Sequence, residues 1–458
     1  MLSAIKKDSF LYRTKTYLSF LFLCFYLSVC GKIKAVDIRS DKTPQFIHNV
    51  SHLYNEPKLS KSYETNLEKK LNYLNSIDCK WVSEHLSSNE IIIKYSVLHD
   101  TSHEKKYVAY IFKHGVEQPI LYELCNENTL INLLDSNDDL YNDTTLFSTL
   151  ITPFLSETSE IKTIYFIPAG ILHEISLEYC MEKNGKMFSE NYHVFRLSSL
   201  SALKRQRKQR DYHRVSIWGG IDYYAEIDGV NAEEYPFIGT FKRCNLPYLD
   251  DSYRAAKRIH EETKYLGITS DFYHDAYATE DNFKSQPWNE VDVLLIETHG
   301  LILEHPYQEY KCTEESAMKK HALALAGVSN TLEGVTLPDS INDGLLTAYE
   351  ISKLDLSHVD LAIVSACNSA KGEIKEDGVH GLMRGFKLAG VGSLIMATDT
   401  IVDYISGCLW IQFFRNMSRG MTKREALLNG IKYIRTMNNG VYAPPKFWTP
   451  YILIDGME

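Results

Sequence analysis

Two residues that could perform nucleophilic chemistry follow two short apolar segments of this 458-residue sequence. His299 stands near the end of VLLIETHG (293–300), and Cys367 lies within LAIVSACNSAKGE (361–373). A thiolate is a strong nucleophile, and an imidazole accepts and returns a proton near neutral pH. A cysteine and a histidine that are far apart in sequence form a catalytic pair when the fold brings them together.

Both segments have the composition of buried parallel strands. Each is rich in apolar, largely branched residues and ends at small residues, where the chain turns. The carboxyl ends of parallel strands share one edge of a sheet, and ligands bind at that edge. If the two strands are neighbours, His299 and Cys367 face each other there. The small residues Gly300, Ser365 and Ala366 would let a substrate backbone approach closely.

Each residue alone has a simpler explanation. A cysteine after a strand is more often a small buried apolar residue than a nucleophile, and a histidine at a strand end is usually structural. The occurrence of both at predicted strand ends favours the nucleophilic interpretation. GxxxxGK[S/T], GxGxxG and HExxH motifs are absent, so we expect neither a cofactor nor a metal.

Composition limits the class of protein. The chain is 44% apolar and 24% charged, which is typical of a globular protein, and its length favours two domains. A net charge of −10 is mild for this length and argues against a general nucleic-acid binder. Nine cysteines without a CxxC motif indicate neither a disulfide framework nor a zinc site.

The N-terminus differs from the rest of the chain. Basic residues precede the apolar run YLSFLFLCFYLSVC (17–30), as in a secretory signal peptide or a short membrane anchor. We therefore predict a signal peptide or anchor over 1–36, with export or membrane association as the consequence. The alternative is a cytoplasmic protein with an apolar start, which Lys32 and Lys34 favour.

The remaining sequence divides at the basic block KRQRKQR (204–210). A short helical or linker segment over 37–78 precedes a strand-rich first half over 79–210. Beyond the block, strands and helices alternate through 211–458, with helices expected at 344–356 and 379–390, which predicts a doubly wound α/β architecture.

Several ordered motifs in the chain, from about Cys79 to Gly456, carry a family resemblance. They are YFIPAGILHEISLE (165–178), WGGIDY (218–223), AYATEDNFK (276–284), ETHG (297–300), DGLLTAYEI (343–351), SACNSAKGE (365–373), GLMRGFKLAGVGSLIMA (381–397) and WTPYILIDG (448–456). Single motifs are weak, but the ordered set resembles the CHAT family of caspase-like cysteine peptidases.

The resemblance implies a caspase-like fold, with a doubly wound, mostly parallel sheet in two halves. Residues 79–210 would form a catalytically inactive caspase-like half, and 211–458 the catalytic half. Cys367 would attack the scissile carbonyl of a protein or peptide substrate, while His299 activates the thiol and later protonates the leaving amine. The backbone N–H groups of Gly300 and Cys367 are the expected oxyanion donors.

Two departures from the family pattern concern the site. Ser369 stands where the motif usually has Thr, which keeps a hydroxyl. Asp399 stands where family members commonly have Trp, which bears on specificity. We expect the strand at 392–399 to reach the same edge, so that Asp399 and Asp403 line the substrate pocket and favour Arg or Lys before the cut. The alternative is that both carboxylates cap the following helix.

Two other functions remain open. The chain could be a catalytically silent CHAT-like protein-interaction or signalling module, or a thiol acyl-transferase that uses the same two residues. The presence of both His299 and Cys367 favours the peptidase.

Overall fold

The structure is a computed structural model that describes residues 79–99, 105–116, 118–136, 140–155, 160–204, 211–226, 246–303, 314–332, 342–375 and 378–457. The predicted signal or anchor segment (1–36), including the apolar run 17–30, and the predicted linker 37–78 lie outside these residues. Within the described part of the chain, no helix is long and apolar enough to cross a membrane. Export and membrane association therefore stay predictions.

The strands of the described residues are numbered here in chain order. They are β1 (Glu90–His99), β2 (Lys105–Lys113), β3 (Ile120–Asn126), β4 (Thr163–Ile167), β5 (His193–Arg196), β6 (Arg214–Ile221), β7 (Thr269–Asp275), β8 (Val293–Glu297), β9 (Gly300–Ile302), β10 (His321–Ala324), β11 (Leu345–Thr347), β12 (Leu361–Ser365), β13 (Gly372–Lys375), β14 (Gly378–Gly381), β15 (Ser393–Ala397) and β16 (Tyr451–Ile454).

The α-helices of the described residues are numbered in the same way. They are α1 (Cys79–His85), α2 (Glu127–Ser136), α3 (Thr145–Leu150), α4 (Thr152–Leu155), α5 (Phe188–Asn191), α6 (Asp250–Tyr265), α7 (Glu280–Ser285), α8 (Glu314–Lys319), α9 (Val328–Leu332), α10 (Ala348–Lys353), α11 (Leu382–Ala389), α12 (Asp403–Met417) and α13 (Lys423–Gly440).

One eleven-stranded sheet runs through both halves of the described chain. Its order is β3-β2-β1-β4-β5-β16-β15-β12-β8-β6-β7, so β1 to β5 form one end and the later strands form the other. The antiparallel pairs are β1–β2, β2–β3 and β15–β16, and the other pairs are parallel. The predicted α/β fold with a large, mostly parallel sheet is therefore confirmed.

Both faces of the central strands are covered. All five residues of β8 and of β12 are buried. Along β8, Leu294 and Ile296 belong to one hydrophobic core, while Val293 and Leu295 belong to the core on the other face. Burial on both faces explains why these strands are continuous apolar runs rather than alternating ones.

Helices α6 and α12 pack closely on one face of the sheet. A Cβ atom built at Gly407 of α12 would lie 3.0 Å from the Cβ of Ala255 and 3.2 Å from the carbonyl oxygen of Asp251, both in α6. This close contact holds the two helices together along the face behind β8 and β12.

Two predicted helices begin later in the structure than the sequence pattern indicates. The helices expected at 344–356 and 379–390 are preceded by the short strands β11 and β14, so their first residues are extended. Thr347 explains the first case, because its hydroxyl accepts from the backbone N–H of Glu350 and the Glu350 carboxylate accepts from the Thr347 N–H. This capping box places the helix start at Ala348.

Candidate active site

Strands β8 and β12 are direct neighbours, as the sequence pattern predicts for the His299 and Cys367 strands. Their parallel ladder ends with Glu297 beside Ser365. The backbone N–H of Thr298 then donates to the Ser365 carbonyl over 3.1 Å. His299 and Cys367 each stand two residues beyond the last ladder pair, so both lie at the carboxyl edge of the sheet.

Gly300 lies against the backbone of Cys367. A Cβ atom at position 300 would overlap the Cys367 carbonyl oxygen and would lie 3.4 Å from the Ala366 Cβ. The chain that leaves His299 therefore passes directly beside the turn that carries Cys367. Only glycine fits here without a shift of the backbone.

The turn after Cys367 is tightly held. Asn368 has a left-handed backbone with φ of 56°, and its N–H donates to the carbonyl of Asp399 over 3.1 Å. The buried Ser369 hydroxyl donates to a β12 carbonyl over 3.0 Å and accepts from the N–H of Ala397 over 2.9 Å. The serine that replaces the usual threonine thus retains a hydroxyl that links β12 to β15.

The sulfur of Cys367 contacts two backbone groups of Ile401. The N–H of Ile401 points to the Cys367 sulfur at 3.5 Å, and the Ile401 carbonyl oxygen lies 3.8 Å from the same sulfur. Cys367 is half-buried. These contacts orient the thiol at the edge of the sheet while leaving it accessible.

The imidazole of His299 is oriented by a backbone carbonyl. Its Nε2 lies 2.8 Å from the carbonyl oxygen of Pro247. A carbonyl oxygen only accepts, so Nε2 carries the proton and donates. In the neutral ring, Nδ1 then holds the lone pair and is the nitrogen able to accept a proton.

Tyr223 and Thr298 form a small network of contacts beside His299. The Tyr223 ring packs on the imidazole with centroids 4.9 Å apart, and its hydroxyl lies 3.1 Å from the Thr298 hydroxyl oxygen. Thr298 donates to the carbonyl of Ala324 over 2.5 Å. Tyr223 is buried, and this desolvation raises the pKa of its phenol well above the usual range, so the group is neutral.

Asp403 is occupied by the start of helix α6. Its carboxylate accepts from the backbone N–H groups of Asp251 and Ser252, each over 3.0 Å, and from the Ser252 hydroxyl. These N–H groups are among the donors that a helix leaves unsatisfied at its first turn. Asp403 therefore caps α6 and not the following helix, α12, whose N-cap residue Val402 makes no side-chain capping hydrogen bond.

Asp399 has a different position. It is exposed, its carboxylate accepts from the N–H of Thr400 over 2.7 Å, and its carbonyl accepts from the residue after Cys367. Asp399 therefore lies at the same sheet edge as Cys367. Of the two predicted pocket acids, it is the one whose carboxylate is exposed to solvent.

Glu297 was not singled out from the sequence, although an acid inside an apolar strand is a signal. It is fully buried two residues before His299, and neither carboxyl oxygen makes a hydrogen bond within the described part of the chain. Burial, and then the nearby Asp403 charge, raise the pKa of Glu297 well above its usual range. The carboxyl is therefore neutral. Its ladder partner Ser365 accepts a hydrogen bond from the Trp410 indole over 2.8 Å.

Pro247 and Ile401 were also not identified from the sequence. Each acts through backbone atoms, which every residue possesses, so residue type carries no signal. Tyr223 does lie in the WGGIDY motif (218–223), but nothing in that motif indicates which residue it contacts. Among the described residues, no group of three or more His, Cys, Asp or Glu side chains could hold a metal ion.

The chain is an α/β protein with a cysteine and a histidine at one edge of its sheet, and it can be compared with known families on that basis. Residues 143–455 match the model of the CHAT domain. This match covers more than half of the sequence, and the chain belongs to the CHAT domain family.

The solved structures to which the chain is similar are distant in sequence. The Arg-specific cysteine proteinase gingipain R is 10% identical, with a TM-score of 0.37, over 72% of this chain and 74% of that one. Separase in the Saccharomyces cerevisiae separase–securin complex is 8% identical, with a TM-score of 0.45, over 86% of this chain but only 31% of the separase chain. No curated protein matches the sequence.

Proposed function

We propose that this protein is a cysteine endopeptidase in which Cys367 and His299 act as a catalytic dyad. The observation that carries the proposal is the adjacency of β8 and β12, whose ends lead to these two residues at one edge of the sheet. The hydrogen bond from His299 Nε2 to the Pro247 carbonyl supports it, because it leaves Nδ1 to serve as the base.

The proposed reaction needs no group other than these residues and water. His299 Nδ1 removes the thiol proton, and the Cys367 sulfur attacks the carbonyl carbon of the scissile peptide bond. The resulting tetrahedral adduct collapses when the imidazolium protonates the leaving amine, which yields a thioester. His299 then takes a proton from water, and the hydroxide attacks the thioester to release the acid and restore the thiol.

The proposed oxyanion site consists of the backbone N–H groups of Gly300 and Cys367. Gly300 lies directly beside the Cys367 backbone, which supports a shared site for the two donors. Such donors stabilise the negative oxygen of the adduct, and removal of one typically raises the barrier by about 3 kcal/mol.

The proposed specificity is for Arg or Lys before the cut, with Asp399 as the recognising acid. Its carboxylate is exposed at the edge that carries Cys367. An exposed acid at this place attracts a cationic side chain and repels an acidic one. Asp403 is a weaker candidate, because three hydrogen bonds occupy its carboxylate.

A covalent probe tests the proposed dyad. We expect a peptide vinyl sulfone, which alkylates activated cysteines, to label the wild type, and both Cys367→Ala and His299→Ala to lose that labelling. Cys408→Ala is the matched control, because Cys408 is another half-buried free cysteine, on α12. Cleavage of a peptide library, with identification of the new termini, establishes the hydrolysis itself.

The outcomes separate the candidate functions. Labelling with cleavage supports the endopeptidase. Labelling with transfer of the peptide to an added amine, without hydrolysis, would favour the acyl-transferase. Absence of labelling in a folded wild type would reject the dyad and leave the interaction module.

A further inference from the structure

Each residue of the proposed dyad is oriented by backbone that leads directly into a helix. The carbonyl oxygen of Pro247 lies 2.8 Å from His299 Nε2, and α6 begins three residues after Pro247. The backbone N–H of Ile401 points to the Cys367 sulfur at 3.5 Å, and α12 begins two residues after Ile401. The relative position of the two reacting groups therefore depends on the first turns of α6 and α12.

Asp403 joins these two first turns. It is the first residue of α12, and its carboxylate binds residues of the first turn of α6. Oδ2 accepts from the backbone N–H of Asp251 over 3.0 Å, and Oδ1 accepts from the backbone N–H of Ser252 over 3.0 Å and from the Ser252 hydroxyl. The positive end of the α6 dipole favours a carboxylate at this place. One side chain thus fixes the start of α6 relative to the start of α12.

The bodies of the two helices are held by other contacts. A Cβ atom at Gly407 of α12 would lie 3.0 Å from the Cβ of Ala255 in α6, so the helices are in close contact there. Helix α12 is also fixed to the sheet, because the Trp410 indole donates to the Ser365 hydroxyl at the end of β12 over 2.8 Å. Loss of the Asp403 carboxylate should therefore free the first turns without separating the helices.

The residues before α6 depend on the first turn of that helix for their position. Leu246 is buried in the core, but Pro247 and Tyr248 are exposed. The Tyr253 N–H donates to the Leu249 carbonyl over 3.0 Å, so the hydrogen bonding of α6 continues into this segment. A shift of the first turn therefore moves Pro247, whose carbonyl oxygen sets the direction of the imidazole.

We propose that Asp403 is a positioning residue for the dyad, which sets the His299 imidazole and the Cys367 sulfur relative to each other through the first turns of α6 and α12. This inference rests on the proposed peptidase function. Asp403 acts only through geometry, and misplacement of a reacting group by about 1 Å costs about a hundredfold in rate. A carboxylate that served only as a helix cap would affect stability and leave the reaction rate unchanged.

Cleavage of a reporter peptide by two Asp403 variants tests the proposal. Asp403→Ala removes both acceptor oxygens and should lower kcat about tenfold, with KM within about twofold, because substrate contacts are unchanged. Asp403→Asn keeps one acceptor oxygen, so its loss in kcat should be smaller.

Thr422→Ala is the matched control. Thr422 is the N-cap of α13, which packs on α12, and its hydroxyl accepts from the Glu425 N–H over 3.2 Å. Its replacement also removes a helix cap and should lower the midpoint of unfolding, with kcat within about twofold. Equal kcat in Asp403→Ala and Thr422→Ala would reduce Asp403 to a helix cap and would overturn the proposal.

Alkylation of Cys367 by iodoacetamide gives a second readout, which needs no peptide substrate. Its rate near neutral pH is followed by mass spectrometry of the peptide that contains Cys367. We expect Asp403→Ala to slow alkylation at least about fivefold and Thr422→Ala to leave it within about twofold. Combined with His299→Ala, Asp403→Ala should slow it no further, because the imidazole that it positions is gone. Equal slowing with and without His299 would overturn the proposal.

His299→Ala alone distinguishes failure of this proposal from failure of the proposed function. If this variant alkylates at the wild-type rate, the dyad is rejected and the positioning role with it. If it is slow while Asp403→Ala matches Thr422→Ala, the dyad stands and the positioning role is rejected. Circular dichroism establishes that each variant is folded, and Asp403→Asn decides the outcome if Asp403→Ala does not fold.

Discussion

Each half of the described chain carries a histidine and a cysteine in the segments that follow its strands, but in different surroundings. In the first half, Cys180 is fully buried, and desolvation raises the pKa of its thiol well above the usual range. Burial, with Arg196 nearby, lowers the pKa of His173 to about 3. In the second half, Cys367 and His299 stand at an accessible edge and meet backbone groups.

The difference lies in what covers the strand ends. After β4, the chain continues in two short 3₁₀ segments: Gly170–Glu174, in which Leu172 is buried, and Leu177–Tyr179, in which every residue is buried. The buried Glu178–Arg196 ion pair, at 2.8 Å, closes this edge further. A buried thiol is unreactive because the thiolate is the nucleophile. Cys180 therefore lacks the access to solvent that Cys367 has, although the residue type is the same.

Alanine substitutions in the two halves should differ most in their effect on kcat/KM. We expect Cys367→Ala and His299→Ala each to lower kcat/KM at least about a thousandfold, because the two groups act as one unit. Cys180→Ala should leave kcat/KM within about twofold and lower the midpoint of unfolding, because it leaves a small cavity in the core. Activity that depended on Cys180 would break the comparison between the halves.

Gly300→Ala tests whether the close approach of the two backbones matters. The new Cβ overlaps the Cys367 carbonyl oxygen, so the turn must move, and misplacement of a reacting group by about 1 Å costs about a hundredfold in rate. We expect that loss in kcat/KM with a folded protein. Gly115→Ala is the control: it meets no atom within 4 Å, and its φ of 70° predicts only lower stability. Full activity in Gly300→Ala would exclude a tight oxyanion site at this glycine.

Glu297→Gln should change the pH dependence of folding. In the folded protein, burial raises the pKa of Glu297 above the unfolded value of about 4.5. The contribution of this group to the free energy of unfolding is therefore fully present below about pH 4.5 and is lost as the pH rises toward the folded pKa. Glutamine cannot ionise, so the variant should gain stability relative to the wild type progressively above about pH 4.5. Urea unfolding at several pH values measures this, and a constant difference across pH would show that the fold does not raise the pKa of Glu297.

Substitution of Asp399 and Asp403 should have smaller effects, which differ in kind. Asp399→Asn should reduce a preference for Arg over Leu reporter peptides by about tenfold, since it removes the exposed charge. Asp403→Asn should leave that preference unchanged and destabilise the protein by about 1 kcal/mol, since it weakens the cap of α6. A wild type without basic preference, or a preference that survives Asp399→Asn, would rule out this recognition.

Much of the fold was predictable from local pattern. The runs 293–297 and 361–365 could be predicted as buried strands because a strand covered on both faces is apolar along most of its length and does not alternate. The predicted starts of the helices at 344–356 and 379–390 were wrong, because the residues there form β11 and β14, whose pairing depends on partners elsewhere in the chain. The domain boundary at 204–210 stays a prediction, since 205–210 lie outside the described residues.

The types of the strands and helices follow from the sequence pattern, and so does the placement of His299 and Cys367 after two buried strands. Parallel strands end at a common edge, so this placement follows from the local pattern. Three contacts depend on the folded chain: Pro247, 52 residues from His299, orients the imidazole; Ile401, 34 residues from Cys367, contacts the sulfur; and Asp403 caps α6. These contacts use backbone atoms across long separations. Every residue carries such atoms, so no residue type in the sequence indicates them.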